Sequence, residues 1–263
     1  MIINREQIWE LAAQGKRLDG RELEEYRSPI NVDLNISWTA EGSSRVQIGE
    51  TVVIAGVKLS IEKPYNDTPD EGGITVNAEL TPLSSSEYES GPPGTKSIEL
   101  ARVIDRGIRE AKAIDMKNLC IEAGEKAWFV TVDIITINDA GNLFDTSGIA
   151  VLAALKTAHY PVVDSNTGAI NYKEKTTKTI RLTKEPVSVT VYKINGKFLV
   201  DPTIQEEKSA EARLTITSDK KGTISAIQKG GDAPLSLEET DAMIQIALEK
   251  ATFLREELNK FVK

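Results

Sequence analysis

Three arginines are spaced so that they could do chemistry together. Residues 97–113 read Ser-Ile-Glu-Leu-Ala-Arg-Val-Ile-Asp-Arg-Gly-Ile-Arg-Glu-Ala-Lys-Ala and predict a helix with Arg102, Arg106 and Arg109 at i, i+4 and i+7. At 3.6 residues per turn the three project from one stripe. Guanidinium forks arranged this way suit phosphate groups, and Lys96 just upstream could add a further cation. The same helix also offers i, i+4 ion pairs, Asp105 with Arg109 and Arg106 with Glu110. Each exposed pair contributes only ~0.3–0.5 kcal/mol, so the residue types alone favour a salt-bridged, solvated face. Arg45, in Gly42-Ser43-Ser44-Arg45, reads either as another phosphate contact or as an exposed strand residue.

Other familiar chemistries are missing. The one histidine, His159, sits at Ala158-His159-Tyr160-Pro161, where a helix is expected to end, so an imidazole facing the helix dipole is preferred to a general base. The one cysteine, Cys120, lies in the apolar run Leu119-Cys120-Ile121, and core packing is preferred to a nucleophile or metal ligand. No histidine triad, zinc spacing or phosphate-binding glycine loop stands out, and no metal site is expected.

The elements that must carry these residues alternate in character. Residues 4–14 predict a helix capped by Asn4, with Gln7 three residues on, and stopped by Gly15. Period-2 patterning predicts strands over 32–36, 44–48, 51–61 and 74–80, forming one sheet. Residues 84–95, with their Ser-Ser-Ser and Gly-Pro-Pro-Gly content, read as a mobile loop leading into the arginine helix. Strands over 118–122 and 127–138 form a hairpin, and Asp139-Ala140-Gly141-Asn142 turns into an apolar helix ending near His159. Residues 164–186 read as a connection or irregular hairpin, followed by strands 187–194 and 198–200 around Asn195-Gly196. Strands 213–217 and 223–227 follow, and then a long helix with a Ser236/Glu239 capping box. The pattern is α+β, with strand-helix-strand-helix lobes at 31–163 and 187–263, an arm at 1–30 and a connection at 164–186.

Composition narrows the setting. At 263 residues and 40% apolar content, the chain can bury roughly 70–75% of its unfolded surface, enough for one large domain or two fused lobes. A lone cysteine and a charged opening, Asn4-Arg5-Glu6-Gln7, imply a reducing, cytoplasmic setting. The longest apolar run, residues 149–155, is far short of the ~20 residues of a membrane span. A net charge of −8 disfavours a freestanding nucleic-acid binder, because affinity for a polyanion comes from neutralising its phosphates. Any RNA contact must therefore be local.

Taken in order, Arg17-Leu18-Asp19-Gly20-Arg21, residues 42–51 and Glu79-Leu80-Thr81-Pro82-Leu83-Ser84 resemble the RNase PH family of phosphorolytic exoribonucleases. The resemblance runs from about Arg17 to the C-terminus. Residues 79–83, Gly91-Pro92-Pro93, the Leu100–Arg106 run and Asp201-Pro202-Thr203 are similar to the family's non-catalytic subunit of the archaeal exosome. The resemblance implies an RNase PH-like fold (ribosomal protein S5 domain 2-like) with two similar lobes. It also implies a hexameric ring of three heterodimers with a catalytic RNase PH-like subunit, S1/KH-type RNA-binding cap proteins on one face, and single-stranded RNA as ligand. Inorganic phosphate, with or without magnesium, would act at the partner's site, and this chain would carry no cofactor.

Two positions look degenerate against that family. Active members place a Thr-Arg or Ser-Arg pair after an Asp-Gly turn at a helix N-terminus; here Asp139-Ala140-Gly141 is followed by Asn142 and Leu143, and leucine cannot hold phosphate. Asp145, two residues on, would repel an anion placed there. Active members then present a carboxylate in an Ala-Glu-x-Asp-like pattern; here Ala210-Glu211-Ala212 is followed by Arg213. Glu206 and Glu207 read equally as solvated loop carboxylates or as metal-site acids. With both functions lost, the chain itself is expected to have no catalytic residues, and the resemblance assigns RNA guidance to Arg102, Arg106 and Arg109 with Lys96. Two rival readings remain, a self-sufficient phosphate-dependent 3′–5′ exoribonuclease and a plain RNA-binding adaptor.

Overall fold

The computed structural model describes residues 5–164 and 169–262. Helix α1 (Arg5–Ala13) ends where Gly15 takes a positive φ of 70°, and the expected Asn4 cap lies outside the described residues. Strands β1 (Ile30–Leu34), β2 (Gly42–Ile48), β3 (Thr51–Glu62), β4 (Gly73–Glu79), β5 (Cys120–Glu122) and β6 (Lys126–Asn138) form the first sheet, ordered β1-β2-β3-β6-β4 with β5 on β6. All pairs are antiparallel except β4 with β6. Every second residue of β3 and β6 is buried, so a single apolar face turns inward.

Against that face lie α2 (Thr95–Glu110) and α3 (Leu143–Lys156). In α2, Ser97, Leu100, Val103, Ile104, Gly107 and Ile108 are buried at helical spacing, which directs the arginines away from the core. The helix spans 95–110 rather than 97–113. Lys112 adopts a φ of 53°, and the N–H groups of Lys112 and Ala113 return to the carbonyls of Arg109 and Ile108 at 2.9 and 3.0 Å, closing the C-terminus.

The second sheet is antiparallel, β10-β9-β11-β12, built from β9 (Val187–Ile194), β10 (Lys197–Val200), β11 (Ala212–Ser218) and β12 (Ile224–Gly230). Its two faces differ. Ser188, Thr190, Thr215 and Thr217 hydrogen-bond in cross-strand pairs, and Ser188 and Thr217 lie beneath Gly107 of α2 and Gly148 of α3, so small residues let the helices approach. The other face packs on α5 (Leu237–Asn259), where Lys193 of β9 pairs with Glu239 at 2.5 Å. The layers run sheet, α2 with α3, sheet, α5. The Ser236/Glu239 capping box forms as expected.

Strand β7 (His159–Val163) pairs antiparallel with β8 (Ile170–Thr179) as a separate two-stranded sheet. His159 therefore opens a strand rather than ending a helix. Its N–H donates to Glu41 and its ring Nδ1 lies 2.9 Å from the Thr157 carbonyl. Cys120 opens β5, half-buried at the sheet margin rather than in the core. A short helix that patterning does not predict, α4 (Ile204–Ser209), has its first turn held by a Thr203/Glu206 capping box.

Candidate functional site

The Asp139–Asn142 turn is fixed from beneath by residues far away in sequence. Gly141 has a φ of 99°, and a side chain there would strike the carbonyl of Pro202. Arg27 donates to the carbonyls of Ala140 and Gly141 at 2.7 and 2.9 Å and also clamps Asp201 at 2.8–2.9 Å. Asp201, fully buried, further accepts from Arg21 at 3.0 Å and from the Asn142 side chain at 2.8 Å. Alongside it, Arg17 makes a two-pronged, buried pair with Glu206 at 2.6 and 2.9 Å. Arg17-Leu18-Asp19-Gly20-Arg21 and Asp201-Pro202-Thr203, distant in sequence, are thus one structural unit.

Above this network opens a cavity of about 320 Å³, walled by α2, the start of α3, α4, β11 and the loop before α2. Leu143 and Arg213 both line it, so the two positions that the sequence reads as degenerate meet in one place. Leu143 adds an aliphatic side chain to the wall beside Phe144. The Arg213 guanidinium lies 4.5 Å over the Phe144 ring and pairs with Glu99 at 2.7 Å. The other cations are likewise neutralised: Glu87 reaches from the loop to Lys208 and also lies 3.9 Å from Lys96.

The amide at the start of α3 is taken by one of the chain's own carboxylates. The Asn142 N–H, which could face a phosphate, donates to Glu207 at 2.8 Å, and the Tyr192 hydroxyl donates to the same oxygen at 3.0 Å. Burial raises the Glu207 carboxyl above its ordinary range. Asp139 accepts from Tyr88, whose hydroxyl is pushed up by burial and by that bond.

Several expectations change here. Glu206 and Glu207 are not solvated loop acids, because α4 turns the first into the Arg17 pair and the second into the cavity wall. Asp145 does not face the cavity. It is buried beneath α3, where it accepts from the Tyr26 hydroxyl at 2.7 Å and the Thr190 N–H at 2.8 Å. Burial pushes its carboxyl up to about 7. Among the described residues no cluster of three or more His, Cys, Asp or Glu side chains could hold a metal ion. No helix among them is long and apolar enough to cross a membrane.

The arginine stripe divides. Arg102 and Arg106 are exposed and form no ion pair among the described residues, and the expected Arg106–Glu110 pair is absent, with both side chains left in solvent where the helix ends. Arg109 is already engaged, donating to Asp105 at 2.8 Å and to the Ile74 carbonyl on the open edge of β4 at 2.8 Å. Lys96 lies on another side of α2, at the cavity mouth with its ammonium 5.7 Å over Tyr88. Arg45 pairs with Asp33 at 3.1 Å across β1 and β2.

The chain matches both parts of the 3′ exoribonuclease family model, RNase PH domain 1 over residues 25–161 and domain 2 over residues 184–250. It is 42% identical over 256 residues to the exosome complex component Rrp42 of Methanocella arvoryzae, covering 97% of this chain and 95% of that protein. Among solved structures it is similar to a chain of the Archaeoglobus fulgidus exosome with RNA bound to the active site. The TM-score is 0.89 at 41% identity, with 96% of each chain covered. A chain of an archaeal exosome core gives a TM-score of 0.83 at 39% identity, covering 97% of this chain and 96% of that one.

Proposed function

The chain belongs to the RNase PH family of 3′ exoribonucleases, and from that premise we propose that it is a non-catalytic subunit of an archaeal RNA exosome. It alternates with a catalytic RNase PH-like subunit as three heterodimers in a hexameric cytoplasmic ring, with S1/KH-type RNA-binding proteins capping one face. The relatives named as exosome components support the assembly. The observation that carries the non-catalytic role is the self-neutralised cavity. Lys96, Lys208 and Arg213 each face a carboxylate of the chain's own, and the α3 amide that an anion would need is taken by Glu207.

Phosphorolysis needs donors to hold phosphate beside the scissile linkage and a group to move a proton. With Leu143 and Arg213 in those places, this chain supplies neither, and phosphate, with any magnesium, is used at the partner's site. Its contribution is to hold that site's neighbouring wall and to offer Arg102 and Arg106 to the phosphates of incoming single-stranded RNA, while Arg109 is held by Asp105 and the β4 edge. Unpaired guanidiniums on a rigid helix can receive phosphates without first breaking an ion pair. The test is to incubate single-stranded RNA and inorganic phosphate with this chain, with its catalytic partner, and with both, sizing each mixture. Activity and ring formation should appear together in the mixture. Nucleoside diphosphate release by this chain alone would replace the proposal with a self-sufficient exoribonuclease.

A further inference from the structure

Trp38 is 95% exposed, at the tip of the loop joining β1 to β2, and Ile36 beside it is also exposed. An indole left in water on an ordered loop calls for a partner, because aromatic side chains dominate the energetics of whatever surface they enter. The loop is ordered by its own bonds. Asn35 N–H donates to the Ser43 carbonyl at 2.7 Å, Ser37 N–H to the Ser43 hydroxyl at 2.9 Å, and Glu41 N–H to the Val57 carbonyl at 2.9 Å. The indole is therefore displayed rather than loose.

Its surroundings are cationic. The carbonyls of Thr39 and Ala40, the two residues after Trp38, accept from Lys58 at 2.7 Å and from Lys175 at 2.6 Å. Lys58 also sits 4.3 Å over the ring of Tyr172, itself 42% exposed. Lys58 is neutralised by Glu41 at 3.0 Å, whereas Lys175, whose ammonium has three donors, gives one to Ala40 and forms no ion pair among the described residues, which leaves it N–H groups and a charge for an incoming acceptor. Strand β8 adds exposed Lys173, and its lysines outnumber its single acid, Glu174, in a chain whose net charge is −8.

We propose that the face formed by the Trp38 loop and the β7–β8 sheet binds single-stranded RNA as a stacking site separate from the α2 arginines. Two exposed aromatic residues, Trp38 and Tyr172, with the exposed Lys173 and Lys175 on the same strand as Tyr172, match an unpaired strand, whose bases offer faces to stack and whose phosphates need cations. A purely apolar protein surface would leave Lys173 and Lys175, which form no ion pair among the described residues, to be desolvated without a counter-charge, which disfavours that occupant. The site rests on the reading of this chain as an RNA-handling subunit, but it does not require α2 or catalysis.

The probe is an oligoadenylate of about 12 nucleotides, within the span such stacking sites cover, titrated against the full chain alone and against its assembly with the catalytic partner. RNA should quench the fluorescence of Trp38, a signal isolated from Trp9 and Trp128 by comparison with Trp38→Phe. Trp38→Ala should weaken binding by about fivefold or more, since loss of one base stack is worth at least that. Lys173→Glu with Lys175→Glu should weaken it and make the salt dependence shallower. Quenching should persist in an Arg102→Glu, Arg106→Glu background. No quenching, or unchanged affinity in Trp38→Ala, overturns the proposal. So does a Trp38→Ala chain that fails to assemble while binding RNA normally, which would make this a protein interface. If the chain forms no ring yet Trp38 is still quenched by RNA, the exosome reading falls and this site stands.

Discussion

Arg213 donates across the cavity to Glu99 at 2.7 Å, from a position where active family members are expected to carry a carboxylate. On the non-catalytic reading proposed above, the pair, with the guanidinium lying on Phe144, serves the fold. Arg213→Ala should therefore lower stability by about 1–2 kcal/mol, the loss of a partly exposed ion pair and a cation–ring interaction. RNA degradation by the assembled complex should stay within about twofold of the unmodified rate. Denaturant midpoints and phosphate-dependent RNA shortening measured on the same preparation check both halves, and a selective loss of degradation would give Arg213 a role in the site.

Asp201 carries a heavier load. One fully buried carboxylate accepts from Arg27, Arg21 and Asn142, and so ties the N-terminal arm and the Asp139–Asn142 turn to the second lobe. Asp201→Asn would leave Arg27 without its counter-charge in a largely buried setting and Arg21 with Asp19 alone, at a cost of about 3–5 kcal/mol. Urea unfolding should show this directly as a lower midpoint with an unchanged slope, and a midpoint indistinguishable from that of the unmodified protein would mean that the arginines find other partners.

The sheets and long helices are legible in the sequence because their patterns are local: period 2 in β3 and β6, a 3.6-residue apolar stripe in α2, and a Ser236/Glu239 box before α5. Leu143 and Arg213 stand out there too, and the fold brings them to one cavity. Partners distant in sequence are not legible. Nothing near Glu206 announces Arg17, nor does anything near Asp145 announce Tyr26, because each pair is made where the N-terminal arm packs on a lobe. Even within α2, spacing could not say that Arg109 would bend to the β4 edge while Arg106 stayed free.

Asp145 should make stability depend on pH. Burial pushes its carboxyl up to about 7, against 3.8 as the ordinary value, so between those pH values the unfolded chain has released a proton that the folded chain still holds. Because the unfolded state then binds fewer protons, this group's contribution falls as pH rises from about 4 to about 7 and levels off above that. The span is on the order of a few kcal/mol. Asp145→Asn keeps an acceptor for the Thr190 N–H but has no proton to lose, so denaturant midpoints followed from about pH 4.5 to about pH 8, values chosen to bracket that window, should flatten relative to the unmodified chain. An identical pH profile in both proteins would show that Asp145 is ionised throughout.

The α2 stripe should separate into two functions. Arg102 and Arg106 have no ion pair among the described residues, whereas Arg109 holds the Ile74 carbonyl and Asp105. Replacing Arg102 and Arg106 with glutamate should leave the ring assembled while weakening RNA binding and slowing degradation by the partner. The salt dependence of binding should become shallower by at most about 0.7 for each single-strand phosphate that is no longer neutralised. Arg109→Glu should instead act mainly on the fold, by putting a carboxylate against the open edge of β4, and lower the unfolding free energy by about 1 kcal/mol or more. A salt series of RNA binding beside urea unfolding for the two variants distinguishes these effects. If the Arg102/Arg106 variant binds RNA like the unmodified complex at every salt concentration, the free arginines are ordinary surface charges and RNA reaches the partner's site by another path.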